Sequence, residues 1–399
     1  MFDLAMSSGF HVKFVNQMSV RATPPLLKDM NERTVLEAIR AAAPISRAEI
    51  SRRVGISKPT VSLALQSLLD AGLVREAEPG GSGPRYGATF FEAIAEAAYV
   101  LGIDLGARFV RGALADLDGA TRARQDVDLG EPTAAAALVQ IERLAASLLA
   151  AAGVSRDALD GVVVGVPGAV QGTEIRLATN VAGLEGESFA RDLAEKLGVA
   201  LTVENDINLA ALGEQARGVA RGVDDFAFIS IGTGLGTGLV LRNELHRGHH
   251  GTAGELDYFR AGLQEEIDPC AGAVSAFARE LAETKATTLT PPYEPREVFA
   301  AARAGDQVAR AVVAEEARRI ALHVAPIASV ADVRLIVLGG GIGANGDLLN
   351  DRVRALLAEW LPYPPRVEGS SLGDAAVLMG ALSVGLRAAR ENVFVNRKA

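Results

Sequence analysis

The chain has 399 residues, a formal net charge of −9 and a single cysteine, Cys270. That length suits two or three domains of roughly 100–200 residues and excludes a small stapled fold, while one thiol excludes an internal disulfide or a multi-cysteine metal cage. No apolar run is expected to approach the ~20 residues of a bilayer span and no signal peptide opens the chain, so the expectation is a soluble cytoplasmic protein without a membrane partner. Acidity is unevenly spread: residues 21–85 hold ten Lys and Arg against seven Asp and Glu, and it is this local balance that decides whether a surface suits phosphate.

Residues 1–25 have no clear period and carry Pro24-Pro25, which predicts a flexible tail. From Asn31, Val35, Leu36 and Ile39 lie at helical spacing up to Pro44. Ser46 with Glu49 three residues on is a capping-box signature opening a second helix through Arg53. After a Gly55 turn, Ser57 caps a third helix whose stripe is Val61, Leu65, Leu68 and Leu69, ended by Gly72. Strand Leu73–Arg75, a tip at Glu78–Gly83 and a returning strand from Arg85-Tyr86 complete a β-wing. Residues 26–90 therefore read as a winged helix-turn-helix, with a small helical protein-interaction module as the bland alternative. In the DNA-binding reading Ser57, Lys58, Thr60 and Ser62 face base edges and phosphates of double-stranded DNA, and Arg85 of the wing reaches the backbone or minor groove.

A linker helix is expected at residues 91–98, followed by an α/β unit at 99–388 and a C-terminal tail at 389–399. Strands Tyr99–Leu105, Phe109–Leu117 and Thr121–Leu129, a helix at Thr133–Ala152 and a buried strand Leu159–Val166 give the βββαβ order of a ribonuclease H-like half. A partial echo follows: strands Phe226–Ile231 and Thr237–Leu241, helix Gln307–Ala331, strand Val333–Leu338, glycines 339–341 and a further helix. Two such halves imply two lobes with a ligand cleft between them.

The glycine runs carry two readings each. Gly232, Thr233, Gly234 and Gly236 join two strands and open no helix, which fails the dinucleotide-loop test; they serve either as a close approach to phosphate or as a tight twisted turn. Gly340 and Gly341 follow a strand and precede a helix, where an anion or adenine could sit, and no Walker lysine follows either loop.

Taken in order, Gly102-Ile-Asp-Leu-Gly106, Gly165-Val-Pro-Gly168, Glu204-Asn-Asp through Glu214, Ile231–Leu239, Gly251-Thr-Ala-Gly-Glu255 and Gly339–Asn345 resemble the ROK family of repressors, open reading frames and sugar kinases. With residues 30–90 the chain resembles its repressor branch, which includes the N-acetylglucosamine and xylose repressors. Since one recognition helix reads only a short half-site, a homodimer or higher homo-oligomer is expected, and the resemblance implies a sugar-kinase-like, actin-like ATPase domain. It implies that Asn205, Asp206 and Glu255 hold sugar hydroxyls, with Asp206 at the position of the kinases' general base, and that Asp104, Gly106 and the glycine loops lie on the phosphate side. From the residues alone, a cap of the helix running through Glu214 is the favoured reading of Asp206, ahead of a carboxylate facing a cleft.

Departures from the family pattern shape the functional expectation. Tyr258 stands where the family has a sugar-contacting, zinc-binding histidine, and Asp268, Ser275 and Phe277 replace two cysteines and a sugar-contacting glutamate around Cys270. Zinc needs about four ligands, so no metal or other cofactor is expected; His249 and His250, adjacent in extended chain, should point apart. Gly106-Ala107-Arg108 lacks the hydroxyl that orients phosphate in the kinases, so phosphotransfer should be poor and Asp206 a vestigial base. Tyr258 and Phe277 either stack on a sugar or are collapsed packing. Three functions stay open: a sugar-controlled repressor, an active sugar kinase with a DNA-binding head, and a regulator that no longer binds carbohydrate.

Overall fold

The computed structural model describes residues 24–78, 88–256 and 267–396, and the chain divides into two compact units, Met1–Ile94 and Ala95–Ala399. The smaller unit runs α1 (Pro24–Ala42), β1 (Ile45–Ser46), α2 (Arg47–Val54), α3 (Lys58–Asp70), β2 (Val74–Ala77) and β3 (Phe90–Ala93). Helix α1 starts earlier than the apolar stripe from Asn31 indicates, taking the last two residues of the expected tail; the rest of that tail lies outside the described residues. Ser46 caps α2 by accepting from the Glu49 N–H at 3.3 Å, but only half the capping box forms, because the Glu49 carboxylate pairs with Arg52. Gly55 closes α2 in the left-handed region at φ 71°, a conformation that costs an L side chain. Val35, Leu36, Ile39, Ile50, Val61, Leu65 and Leu68 form the core of this unit, each side chain contributing roughly 1.5–3 kcal/mol on burial.

The expected linker helix at 91–98 does not form. Strand β3 lies between β1 and β2, pairing Phe91 with Ile45 and with Glu76, and only a single 3₁₀ turn, Ala95–Ala97, follows. Burying Phe91 in a paired strand outweighs the helical preference of the alanines. The wing tip and the expected returning-strand start at Arg85-Tyr86 lie outside the described residues.

The first lobe of the larger unit contains β4 (Tyr99–Leu105), β5 (Phe109–Asp116), β6 (Thr121–Asp128), α4 (Ala134–Ala152), β7 (Leu159–Val166), the small hairpin β8 (Ala169–Gln171) and β9 (Glu174–Arg176), α5 (Ser188–Leu197) and β10 (Ala200–Asn205). Helix α6 (Asp206–Arg217) then leads into the second lobe: β11 (Phe226–Ile231), β12 (Leu235–Leu241), β13 (Glu244–Leu245), α7 (Ala271–Thr284), α8 (Pro295–Ala304), α9 (Gln307–Ala331), β14 (Leu335–Gly339), α10 (Gly340–Gly343), α11 (Gly346–Trp360), β15 (Arg366–Gly369) and α12 (Ala376–Asn396). The sheets run β10-β7-β4-β5-β6 and β13-β12-β11-β14-β15. In the first, β7 and β10 run parallel to β4 while β5 is antiparallel to it; in the second, β14 and β15 run parallel to β11 while β12 is antiparallel to it. Counted within the sheet itself, each reads fifth, fourth, first, second, third strand across, in one direction or the other. The echo partly visible in sequence is thus a complete repeat of topology. Strand β6 is an outer strand, with Arg122, Arg124, Asp126 and Asp128 spaced along it.

Helix α4 corrects the expectation about apolar runs: its 19 residues are long and apolar enough to cross a membrane. Its stripe of Ala137, Ile141, Leu144, Ala145 and Leu148 is instead buried in the first lobe's core, where Leu144 and Leu148 fill the space over Gly112 of β5. The expected tail from residue 389 is also helical, since α12 continues to Asn396 with Ala389, Val393 and Phe394 buried. Helices α6 and α12 cross backbone to backbone. A Cβ on Gly380 would stand 1.8 Å from the Leu209 carbonyl oxygen, and one on Gly213 would stand 2.2 Å from that of Ala376. Leu209 of α6 and Ala381 of α12 also share a buried cluster with Val163 of β7, and α6 packs on β12 with Ala211 against Gly238. The pair therefore ties the two sheets together.

Candidate functional site

The junction of β10 and α6 forms the floor of a cleft of about 440 Å³ lined by Asn205, Asp206, Glu255, Thr179, Asn180, Ser230 and the 232–236 loop. The chain turns from strand to helix here because Asn205 caps α6: its Oδ1 accepts from the Asn208 N–H at 2.8 Å, while its Nδ2 donates to the Gly168 carbonyl at 2.9 Å. Behind it, the buried Glu204 accepts from the Asn205 N–H and from Asn208 Nδ2, both at 3.0 Å, and from Arg247 Nε at 2.7 Å. Sequence reasoning does not single out Glu204 and Arg247, although Glu204 opens the Glu-Asn-Asp motif. They fix the segment that presents Asn205 and Asp206. Thr179 and Asn180, on the loop after β9, escape it too, because no local pattern marks a loop residue that only the fold carries to the cleft.

Asp206 is the first residue of α6 and not its cap, a place Asn205 takes; its Oδ1 accepts from the Ile207 N–H at 2.8 Å, and the carboxylate lies on the cleft, walled by protein yet reachable. Burial pushes its pKa up to about 7, helped by the negative charges of Asp104 and Glu255. The Asp104 carboxyl is raised too, by burial against the opposing pull of Arg111, whose Nη1 donates to it at 2.9 Å. A buried carboxylate raised in this way can take a proton from a hydroxyl or accept its hydrogen bond.

The glycines separate by role. A Cβ on Gly236 would come 2.3 Å from Ile207 Cδ1, the end of a side chain that can swing aside, whereas Gly340 is demanded by a φ of 75° with the Ile231 carbonyl 2.4 Å from its would-be Cβ. Gly341 has open space beside it, and among the described residues the one atom within 4 Å of a Cβ on Gly232 is Gly341 N at 3.9 Å. The two loops thus adjoin at the ends of β11 and β14 and leave backbone accessible there, with Thr233 and Gly234 on the cleft side. At the turn between β4 and β5, the Gly106 N–H donates to the Phe109 carbonyl at 2.9 Å, and the Arg108 guanidinium lies 5.0 Å from the Phe109 ring.

Phe277 does not line the cleft. It packs on the second lobe's core with the Arg319 guanidinium 5.3 Å from its ring, so collapsed packing is the outcome at this position; Tyr258 lies outside the described residues. Around Cys270 the residues do not fit a zinc ion. The thiol is buried at the start of α7, its backbone N–H donates to Asp268 Oδ1 at 2.9 Å, and no group of three or more metal-binding side chains assembles among the described residues. His249 and His250 do not point apart: in the turn between Gly248 and Gly251, both at positive φ, their rings meet edge to face at 4.5 Å.

On the smaller unit, the hydroxyls of α3 are largely engaged. Ser57 Oγ lies 2.8 Å from Thr60 Oγ1 and caps the helix, and Ser62 Oγ donates to the Lys58 carbonyl while accepting from Arg47 Nη1 at 3.1 Å. Lys58 is exposed, and Arg85 lies outside the described residues.

Comparison with known proteins gives two family matches, the ROK family over residues 100–387 and a winged helix-turn-helix DNA-binding family over residues 29–75. The xylose repressor of Caldicellulosiruptor bescii is 26% identical over 387 residues, covering 90% of this chain and 96% of that protein. The glucokinase of Streptomyces coelicolor is 29% identical over 309 residues, 70% of this chain and 95% of that one. Among solved structures, a ROK family transcriptional regulator homologous to the E. coli MLC protein superposes with a TM-score of 0.77 at 20% identity, covering 93% of this chain and 99% of that one.

Proposed function

This chain belongs to the ROK family, and on that footing we propose that it is a DNA-binding repressor whose hold on an operator is set by a sugar or sugar phosphate in the cleft floored by Asn205 and Asp206. The observation that carries the proposal is the span of the repressor match, which takes in both the winged unit and the cleft unit. The glucokinase match is complete with a smaller part of the chain. Sugar recognition rests on Asp206 and Glu255 as hydroxyl acceptors, with Asn205 held in place by Gly168 and Asn208. Coupling needs only that the sugar bind one conformation better than the other by ~1–3 kcal/mol.

Active kinase is the second reading, favoured by one observation: an aspartate with a pKa near 7 suits a general base at neutral pH. Against it, Asp104 is already tied to Arg111, and the Ala107-Arg108 turn offers no side-chain hydroxyl to phosphate. Phosphoryl transfer depends on positioning and charge stabilisation, so this site transfers phosphate slowly or not at all. The test is calorimetric titration of a sugar panel, operator binding with and without each ligand, and an ATP-coupled phosphorylation assay. A sugar that binds and changes operator affinity without turnover supports the repressor; rapid turnover supports the kinase, and no binding across the panel supports a regulator that has lost its effector.

A further inference from the structure

Helix α3 presents an apolar side chain on the face a DNA reader would turn outward. Leu63 is 74% exposed, the most exposed leucine among the described residues. It belongs to the stripe Pro59, Leu63, Gln66 and Asp70, opposite the buried Val61, Ala64, Leu65 and Leu68. The polar neighbours are already committed: Ser57, Thr60 and Ser62 hydrogen-bond within the unit, and Gln66 Nε2 donates to Asp70 Oδ1 at 2.8 Å. The first two turns of the outward stripe therefore offer a branched hydrocarbon rather than a hydrogen-bond donor. Beside it the charge is cationic, from the exposed Lys58 on α3 and from Arg47 of α2, whose Nη1 donates to the adjacent Ser62, which suits a polyanion better than a protein partner's apolar face. In the major groove the apolar feature of base edges is the C5-methyl of thymine.

We infer that Leu63 is a sequence-reading residue that packs against a thymine C5-methyl in each operator half-site. The inference rests on the DNA-binding reading above. It is tested by selecting duplexes from a random pool with the full-length protein and then replacing each thymine of the preferred duplex, one at a time, by deoxyuridine, which removes only the methyl group. At one or two thymines per half-site the wild type should lose about fourfold in affinity per methyl removed. Leu63→Ala, whose side chain is too exposed to matter to folding, should bind the thymine duplex more weakly and be indifferent to deoxyuridine at those same positions. Lys58→Ala, which loses a phosphate partner instead, should keep the deoxyuridine effect. Leu63→Gln should shift the selected base from thymine toward adenine, which glutamine pairs in bidentate fashion. A wild type that selects a sequence but shows the same deoxyuridine profile as Leu63→Ala overturns this inference alone. A wild type that selects nothing overturns the repressor reading and this inference with it.

Discussion

At the scale of single residues, Asp206 offers the sharpest test. Its carboxyl is raised from 3.8 to about 7 in the folded protein, so between about pH 4 and pH 7 the unfolded chain releases a proton that the native chain retains. Stability contributed at this site therefore falls as pH rises through that window and is level above it. Asp206→Asn removes the titration. Its stability relative to wild type should grow from near zero at about pH 4 to of order 1–3 kcal/mol at about pH 8, read from denaturant melts. The same ionisation governs the sugar, because a hydroxyl donates well only to the carboxylate form; calorimetry should show affinity rising with pH up to about 7 and flattening beyond it in the wild type. A second residue-scale expectation concerns Cys270, a buried thiol around which no group of three or more metal-binding side chains assembles among the described residues. Elemental analysis should find well under one zinc per chain, and chelation should leave the melting temperature unchanged.

At the scale of elements, the α6–α12 crossing is the contact on which the two lobes depend. Gly380→Ala would place a methyl group inside the Leu209 backbone and force the helices apart; a loss of about 3 kcal/mol or more, or failure to fold, is expected from overpacking at such a site. Gly341→Ala, which has open space, should be close to neutral for stability, and circular dichroism melts of the two variants check both. This crossing also shows where sequence reading stops. Strands β4, β5, β7 and β11 and helix α9 are legible because each carries its period and its punctuation locally. The role of α12 is not, because its small residues announce a close approach without saying to what. The linker departs from expectation for a related reason: Phe90–Ala93 is a strand only because β1 and β2 flank it. In the cleft, Asn205, Asp206 and Glu255 are found through a motif, whereas Thr179, Asn180 and the Glu204–Arg247 pair have meaning only in three dimensions.

At the scale of the whole molecule, the proposed repressor should act as a homodimer on an inverted repeat whose half-site centres lie about one helical turn, or a multiple, apart. Lys58→Ala should weaken operator binding roughly uniformly across sequences and lower the slope of log K against log salt by about one for each phosphate left without its cation; gel-shift titrations at several ionic strengths measure both. Association of whole molecules has an unwanted form as well, and strand β6 bears on it. An outer strand leaves a row of unpaired backbone N–H and C=O groups, a template on which a second chain can add its own strand and start a growing aggregate. Along β6 the side chains that would flank such an addition are Arg122, Arg124, Asp126 and Asp128, so an incoming apolar strand would have to strip water from charges to dock. Replacing Arg124 and Asp126 together with valine should leave the unfolding midpoint nearly unchanged yet raise light scattering on prolonged warming below it, which makes these charges guardians of solubility more than contributors to stability.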